Sequence, residues 1–178
     1  MKNVFSLNQR KTSSNEQSKQ LILEALPNIR RYAYSLTANA ADADDLLQSL
    51  VERLLKTSIP SDTNSLAWML RVCRNLWIDE CRKRQVSAKY IDGLLETSES
   101  TGFLEDGIES KVVLEDIHKV LFTLSMQQRE VLSLVIISGL TYAETANVMN
   151  VPVGTVMSRL ARARQALAQA ISSGSGDE

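Results

Sequence analysis

Residues 141–167 carry the pattern that most restricts how this chain can fold. Residues 141–144, Thr-Tyr-Ala-Glu, have the spacing of a capping box, in which the Thr hydroxyl and the Glu carboxylate satisfy the first amides of a helix. Asn150 then stands where a tight turn needs a residue that tolerates left-handed backbone, and Pro152 suits the first turn of another helix. The pattern predicts a helix-turn-helix, a motif whose second helix enters the major groove of DNA.

The two helices of this motif are predicted to have distinct faces. In the first helix, Ala143, Ala146 and Met149 are expected to point inward. In the second, helical spacing predicts a packed face of Val156, Leu160, Ala163 and Leu167. The opposite side carries small hydroxyls and arginines, at Thr155, Ser158, Arg159 and Arg162, with Arg164 further round. No acid occurs from Pro152 to Ile171, so this face suits phosphates and base edges. The alternative is a solvated basic face on an ordinary bundle helix.

Helical periodicity also dominates the rest of the chain. Apolar residues predict a helix over 21–36, which either starts near Pro27 or is kinked there. A second helix opens on three acids (Asp42, Asp44 and Asp45), where carboxylates favour the positive end of the dipole. Ser65 is a candidate cap for a third helix that runs to the basic residues 82–84, and a further helix over 129–138 ends at Gly139.

The predicted helices fall into two groups. Residues 86–110 contain three glycines and a Thr-Ser-Glu-Ser-Thr cluster, which is typical of a linker, and residues 91–116 carry eight acids against one Lys. Aromatic residues make up 5% of the chain, with 7 Gly and 3 Pro, which disfavours an all-β fold. We therefore expect an all-α protein with two small helical domains. The predicted segments are a flexible arm (1–19), a first domain (20–85), a flexible acidic linker (86–111), a second domain (112–171) and a disordered tail (172–178).

Composition excludes several function classes. A net charge of −1 argues against a protein that coats nucleic acid through bulk basicity. His118 is the single histidine, and Cys73 and Cys81 lie eight apart, so neither a zinc site nor a disulfide framework is expected. No apolar run is long enough to span a bilayer and the N-terminus lacks a signal-like apolar region, so a cytosolic location is expected. No P-loop or nucleophile–His pairing points to an enzyme, and no metal or cofactor is expected.

The motif residues resemble those of one known family. Residues 153–164, Val-Gly-Thr-Val-Met-Ser-Arg-Leu-Ala-Arg-Ala-Arg, resemble the −35-recognition helix of bacterial extracytoplasmic-function (ECF) sigma factors. Leu124, residues 129–131 and Tyr142 are similar to the family's fourth region. Upstream residues resemble its −10-reading helix, at Trp68, Arg71, 74–76, 78–79 and 82–84. Residues 45–48 and Arg53 resemble the helix that grips the polymerase core. Both regions occur in the family's order and spacing.

The resemblance implies a sigma factor that binds RNA polymerase core and directs it to a subset of promoters. Its implied −35 contacts are Tyr142, Thr155, Ser158, Arg159, Arg162 and Arg164. Its implied −10 contacts are Arg71, Arg74, Asn75, Arg82 and Lys83. Asp45, Leu46, Gln48 and Arg53 would face the polymerase β′ clamp helices, and the β flap is a second implied contact. The linker would thread through polymerase channels, and an anti-sigma factor is an implied partner. Trp68 and Trp77 are expected in the core rather than stacking on bases.

Five positions depart from the family pattern: Ser49, Val51, Ser125, Thr145 and Met157. Met157 replaces a usual Lys or Arg and so removes one implied phosphate contact. Two other functions stay open. One is a stand-alone helix-turn-helix regulator, which would bind duplex DNA without polymerase. The other is a sigma-like decoy that binds an inhibitor protein, although a decoy has no need of the Arg159 and Arg162 face.

Overall fold

The computed structural model describes residues 3–60, 63–91 and 124–174, and every regular element in those ranges is helical. This confirms the all-α prediction. The elements are α1 (Asn3–Thr37), α2 (Ala40–Leu55), α3 (Ser65–Ile91), α4 (Met126–Leu132), a π-helical turn (Ser133–Ile137), α5 (Tyr142–Met149) and α6 (Val153–Gly174). None of the helices in the described ranges is both long enough and apolar enough to cross a membrane.

Helices α1, α2 and α3 pack around one apolar interior. Ile29 and Tyr32 of α1, Leu50 of α2 and Leu70 of α3 are fully buried there. Ala38 ends α1 with a φ of 59°, a left-handed conformation that is unfavourable for a residue with a Cβ. Asn39 then caps α2, since its side chain accepts a 3.1 Å hydrogen bond from the amide of Asp42. The sharp reversal lets α2 run back along α1.

The N-terminal segment differs from its prediction as a flexible arm over residues 1–19. Helix α1 begins at Asn3 and runs without a break past Pro27. The prediction rested on polar composition, which does not exclude a helix. Gln, Lys, Arg and Glu are good helix formers, and no Gly or Pro occurs before Pro27. Contacts one turn apart support the helix, such as the 3.1 Å Lys19–Glu16 ion pair. Pro27 is accommodated inside the helix on an exposed side.

Helix α3 also departs from its predicted limits. Asn64, not Ser65, caps it, since the Asn64 Oδ1 accepts from the amides of Leu66 (3.1 Å) and Ala67 (3.3 Å). The helix continues to Ile91, so residues 86–91 are helical rather than linker. The rest of the predicted linker and residues 112–123 lie outside the described residues. Helix α6 continues to Gly174, into the predicted tail, and residues 175–178 lie outside the described residues.

The second bundle consists of α4, the π-helical turn, α5 and α6. Helix α4 opens on a capping box that the sequence analysis missed. The Ser125 amide donates to Gln128 Oε1 at 2.9 Å, and the Gln128 amide donates to Ser125 Oγ at 3.4 Å. Gly139 closes the π-helical turn with a φ of 66°, as its predicted place at a helix end requires. Buried Val131, Leu134, Val156 and Leu160 form the interior.

The two bundles pack against each other. Helix α1 contacts α4 and the π-helical turn, and α3 contacts α5. Their apolar interiors form one continuous cluster of buried residues. This arrangement places the helix-turn-helix beside the exposed face of α3.

Candidate nucleic-acid interface

The predicted capping box and turn of the helix-turn-helix are confirmed. The Glu144 amide donates to Thr141 Oγ1 at 3.2 Å, while the Thr141 amide donates to Glu144 Oε2 at 2.8 Å. These hydrogen bonds and one from Asn64 hold the pKa of the Glu144 carboxyl below its ordinary value. Asn150 takes the left-handed conformation, with φ 53° and ψ 52°. The short α5 is thus fixed at both ends, which sets the direction in which α6 begins.

The packing face of α6 is largely as predicted. Val156, Leu160 and Ala163 are buried and Leu167 is half-buried. In α5 the prediction was wrong at one position. Ala146 and Met149 are buried but Ala143 is exposed, and Thr145 takes the inward place with its hydroxyl unpaired.

The opposite face of α6 is open and positively charged. Ser158 and Arg162 are exposed and Thr155 and Arg159 are half-buried on this face, and Arg164, further round the helix, is exposed as well. None of the three arginines makes an ion pair with any residue that the structure describes. The Ser158 hydroxyl donates to the Thr155 carbonyl at 3.1 Å. Tyr142, at the start of α5, is also exposed. Unpaired guanidinium groups on an acid-free helix are free to contact phosphates and base edges.

Helix α6 exposes residues that the sequence analysis did not assign to DNA. Met157 is 54% exposed, and Val153, one turn earlier, is exposed as well. Gly154 lies beside them, and a Cβ added there would meet nothing within 4 Å. The fold therefore does not require Gly154. Exposed apolar side chains on a recognition helix suit the methyl group of thymine. Val153 and Met157 do not fall on the helical period of the packed face. That spacing could have identified them as exposed residues.

The candidate −10 residues lie along one side of α3. Arg71, Asn75, Arg82 and Lys83 are exposed, and Arg82 makes a 3.5 Å contact with Asp79. Arg71, Asn75 and Arg82 line a groove of about 660 Å³, together with Arg53 of α2, whereas Lys83 lies outside it. The far wall of the groove comes from the helix-turn-helix, at Val148 and Asn150. The groove therefore lies between the two bundles, with a strongly basic wall on the α3 side.

Arg74 differs from its neighbours on α3. Its side chain is only 17% exposed, and its Nε donates to Glu130 Oε1 at 2.5 Å. The same oxygen accepts from the Tyr32 hydroxyl at 3.0 Å. Glu130 belongs to α4 of the other bundle and is 1% exposed. Sequence reasoning placed Glu130 only within a family-like stretch, and no local pattern indicated that it pairs with residues this distant.

Three further residues of α3, two tryptophans and an arginine, contact other residues of the first bundle. Trp77 is buried, with its Nε1 unpaired, as expected of a core residue, and Trp68 is half-buried against the core. The Arg84 guanidinium lies 5.7 Å from the centre of the Trp77 ring. Arg84 also binds Asp42 at 3.1 Å and Glu80 at 3.2 Å, and these hydrogen bonds raise its pKa. Arg84 is thus committed to holding α2 on α3.

The candidate polymerase-binding residues lie on α2. Asp45, Gln48 and Arg53 are exposed, and the Gln48 amide donates to Glu52 at 3.3 Å. The prediction that Leu46 contacts polymerase is wrong for this structure, since Leu46 is 7% exposed and packs in the bundle interior. Leu46 is three residues from Ala43 and four from Leu50, so all three lie on the same inward-facing side of α2. Asp44 pairs with Arg30 at 2.8 Å, which lowers the pKa of its carboxyl.

Within the described ranges, no group of three or more His, Cys, Asp or Glu side chains could hold a metal ion. Burial raises the pKa of the Cys73 thiol to about 12 and also raises that of Cys81. Both cysteines are therefore uncharged at neutral pH and neither is a ready ligand.

Comparisons with known proteins match both bundles. The family model for sigma-70 region 2 matches residues 21–86, and the family model for sigma-70 region 4 matches residues 114–167. The chain is 36% identical over 148 residues to the ECF RNA polymerase sigma factor EcfG of Rhodopseudomonas palustris (strain TIE-1), covering 82% of this chain and 80% of that protein. It is 29% identical over 151 residues to the ECF sigma factor SigW of Bacillus subtilis (strain 168), covering 78% and 80%.

Solved structures show the same architecture. The sigma factor RpoE from Bartonella quintana, in complex with the anti-sigma factor NepR, matches with a TM-score of 0.73 and 30% identity, over 90% of this chain and 98% of that one. CnrH, solved with the cytosolic domain of CnrY, matches in fold with a TM-score of 0.63 and 20% identity, over 93% and 94%.

Proposed function

This chain belongs to the ECF group of the sigma-70 family and is an alternative sigma factor that directs transcription initiation; we propose that its two bundles divide the reading of the promoter. Family members are DNA-binding regulatory subunits rather than catalysts. The first domain, residues 20–85, would bind RNA polymerase core and the −10 element. The second, residues 112–171, would bind the −35 element.

The observation that carries this proposal is the exposed, acid-free face of α6. Ser158 and Arg162 project from the side of the helix opposite Val156 and Leu160, which are buried in the bundle, and Arg164 is exposed further round. The capped α5 and left-handed Asn150 hold α6 in the orientation of a recognition helix. We assign −35 recognition to this face, with Tyr142, Thr155 and Arg159 at its edge.

For the −10 element we propose single-strand capture along α3. Arg71, Asn75, Arg82 and Lys83 offer cationic and amide groups to a backbone and an unstacked base. Trp77 is buried, so base stacking on it is not part of the proposal. Arg74 lies in the same row and would join this surface once its contact with Glu130 is broken.

Polymerase binding is assigned to the exposed face of α2. Asp45, Gln48 and Arg53 lie on that face, where they would meet the β′ clamp helices, and the second bundle would meet the β flap. Because a sigma factor acts together with RNA polymerase, we place the protein in the bacterial cytoplasm. An anti-sigma factor is a further proposed partner, supported by the likeness to RpoE solved with NepR.

The proposal is tested by run-off transcription with purified polymerase core over a promoter library. We expect transcripts from a defined subset of promoters that share both a −35 and a −10 sequence, and none from core alone. Transcription that is no more selective than core alone would overturn the proposal. Strong, sequence-specific duplex binding without core would favour the stand-alone regulator instead.

A further inference from the structure

The buried carboxylate of Glu130 joins the two bundles. It lies on α4, yet both of its hydrogen-bond donors are in the first bundle: the Tyr32 hydroxyl on α1 and the Arg74 Nε on α3. Burial raises the pKa of Tyr32, so the phenol keeps its proton and donates at neutral pH. A buried charge is tolerated only when it is paired and hydrogen-bonded, and the hydrogen bonds that Glu130 accepts from described residues both cross between the bundles.

Other polar contacts cross the same boundary. The Asn64 side-chain amide donates to Glu144 Oε1 at 2.7 Å, which ties the cap of α3 to the capping box of α5. Arg129 donates to the Ser35 carbonyl at 3.3 Å as well as to the Leu124 carbonyl of its own bundle at 3.0 Å. Together with the continuous apolar interior, these contacts hold the helix-turn-helix against α3.

Arg74 is only partly available to a nucleic acid in this arrangement. Its Nε, one of the five N–H donors of the guanidinium, is given to Glu130, and its side chain is only 17% exposed. The second bundle also restricts the approach to α3, because Val148 and Asn150 form the far wall of the basic groove. A nucleic-acid strand that binds the Nε side of Arg74 must therefore displace Glu130, and it must enter between the two bundles to do so.

From this geometry we propose that Glu130 is a built-in latch, which closes the two bundles and occupies the Arg74 guanidinium in place of the −10 strand. The proposal rests on the proposed function, since it takes Arg74 as part of the −10 surface. The closed chain would be the inactive form. Arg53, which is assigned to polymerase, lines the groove that Val148 and Asn150 of the second bundle close off, so full contact with core would require the latch to open. The apparent affinity for core is then the intrinsic affinity multiplied by the fraction of chains that are open.

Two variants weaken the closed arrangement through different contacts, the first at the latch itself and the second at the Asn64–Glu144 hydrogen bond. Glu130→Gln keeps the shape of the side chain but removes the charge that Arg74 compensates. Asn64→Asp keeps the oxygen that caps α3 but replaces the donor amide with a carboxylate that faces Glu144, so it repels the second bundle without uncapping the first. Glu24→Gln is the matched control, because it removes an exposed carboxylate of α1 whose observed partner is Gln20 of the same helix.

The experiment measures two quantities on the full-length chain: the radius of gyration by small-angle X-ray scattering and the affinity for purified core by competition. Circular dichroism checks that each variant keeps its helical content. Both latch variants should enlarge the radius of gyration, and Glu130→Gln should bind core roughly 10-fold more tightly than the wild type. Glu24→Gln should match the wild type in both measurements.

Unchanged dimensions and unchanged core affinity in folded Glu130→Gln and Asn64→Asp would overturn the latch. Opening without tighter core binding would overturn its inhibitory role. If Glu130→Gln loses helical content, Asn64→Asp decides the question. Failure of the proposed function has a different signature, namely a wild-type chain that does not bind core at all, and the scattering comparison still reports on the latch in that case.

Discussion

Asn64 and Glu144, 80 residues apart in the sequence, cap two different helices and hydrogen-bond to each other at 2.7 Å. Asn64 uses its oxygen on the first amides of α3 and its amide on Glu144. Glu144 uses one carboxylate oxygen on Asn64 and the other on Thr141. The start of the proposed −10 helix and the start of the helix-turn-helix are thus fixed relative to each other.

The capping box makes the stability of the protein depend on pH. Because hydrogen bonds lower the pKa of Glu144 in the folded state, its contribution is fully present above the ordinary pKa of a Glu carboxyl and is lost as the pH falls through the lowered pKa. We expect Glu144→Gln to lower the free energy of unfolding by about 0.3–1 kcal/mol at pH 7 and by less at pH 4. Urea unfolding at the two pH values measures this. A deficit that is the same at both pH values would contradict the assignment.

Arg162 should contribute to −35 selectivity. It is exposed on α6 and makes no ion pair with any described residue, so Arg162→Ala should remove a DNA contact without disturbing the fold. We expect a loss of about 1–3 kcal/mol in holoenzyme binding to a cognate −35 element and weaker discrimination at one base pair. Lys56→Ala, which removes an exposed positive charge at the end of α2, is the charge-matched control. Unchanged −35 selectivity in Arg162→Ala would refute the recognition-helix assignment.

Met157 should limit the electrostatic part of DNA binding. Its side chain is exposed on α6 at a position where an added positive charge could reach a phosphate. We expect Met157→Arg to tighten holoenzyme binding and to steepen the dependence of log K on log salt by about 1. Met157→Leu, which adds no charge, should leave that slope unchanged. A slope that does not respond to Met157→Arg would place Met157 away from the DNA backbone.

Asn75 should act on promoter opening rather than on duplex binding. It is exposed on α3 and lines the basic groove, whereas the proposed function assigns duplex reading to the second bundle. We expect Asn75→Ala to slow promoter opening several-fold, while the holoenzyme still binds a −35 duplex. The fluorescence of 2-aminopurine placed in the −10 element measures the rate of opening. Equal loss of both activities would count against the division of labour between the bundles.

What the sequence predicts well is local. The capping box, the left-handed Asn150 and the packed face of α6 all depend on residues within a few turns of each other, and their periodicity is visible in the chain. The all-α architecture follows for the same reason. Charge signs and helical spacing were also enough to identify Arg162 and Ser158 as surface residues.

The failures arise where distant residues decide the environment. The resemblance assigned Leu46 to a polymerase contact, but packing of α2 on its neighbours buries it. The sequence around Glu130 predicts only an acidic residue on a helix. Its burial and its hydrogen bonds depend on Tyr32 and Arg74, which are 98 and 56 residues away and are brought close only by the tertiary structure. The first turns of α1 were misjudged because a polar composition is compatible with both a loop and an exposed helix.

The central claim is that this chain reads promoters as a subunit of RNA polymerase. Fluorescence anisotropy of one labelled promoter fragment, titrated with the chain alone and with the chain plus core, tests it most directly. We predict weak, poorly selective binding by the chain alone and tight binding with core that depends on both promoter elements. Equally tight, sequence-specific binding without core would contradict the account.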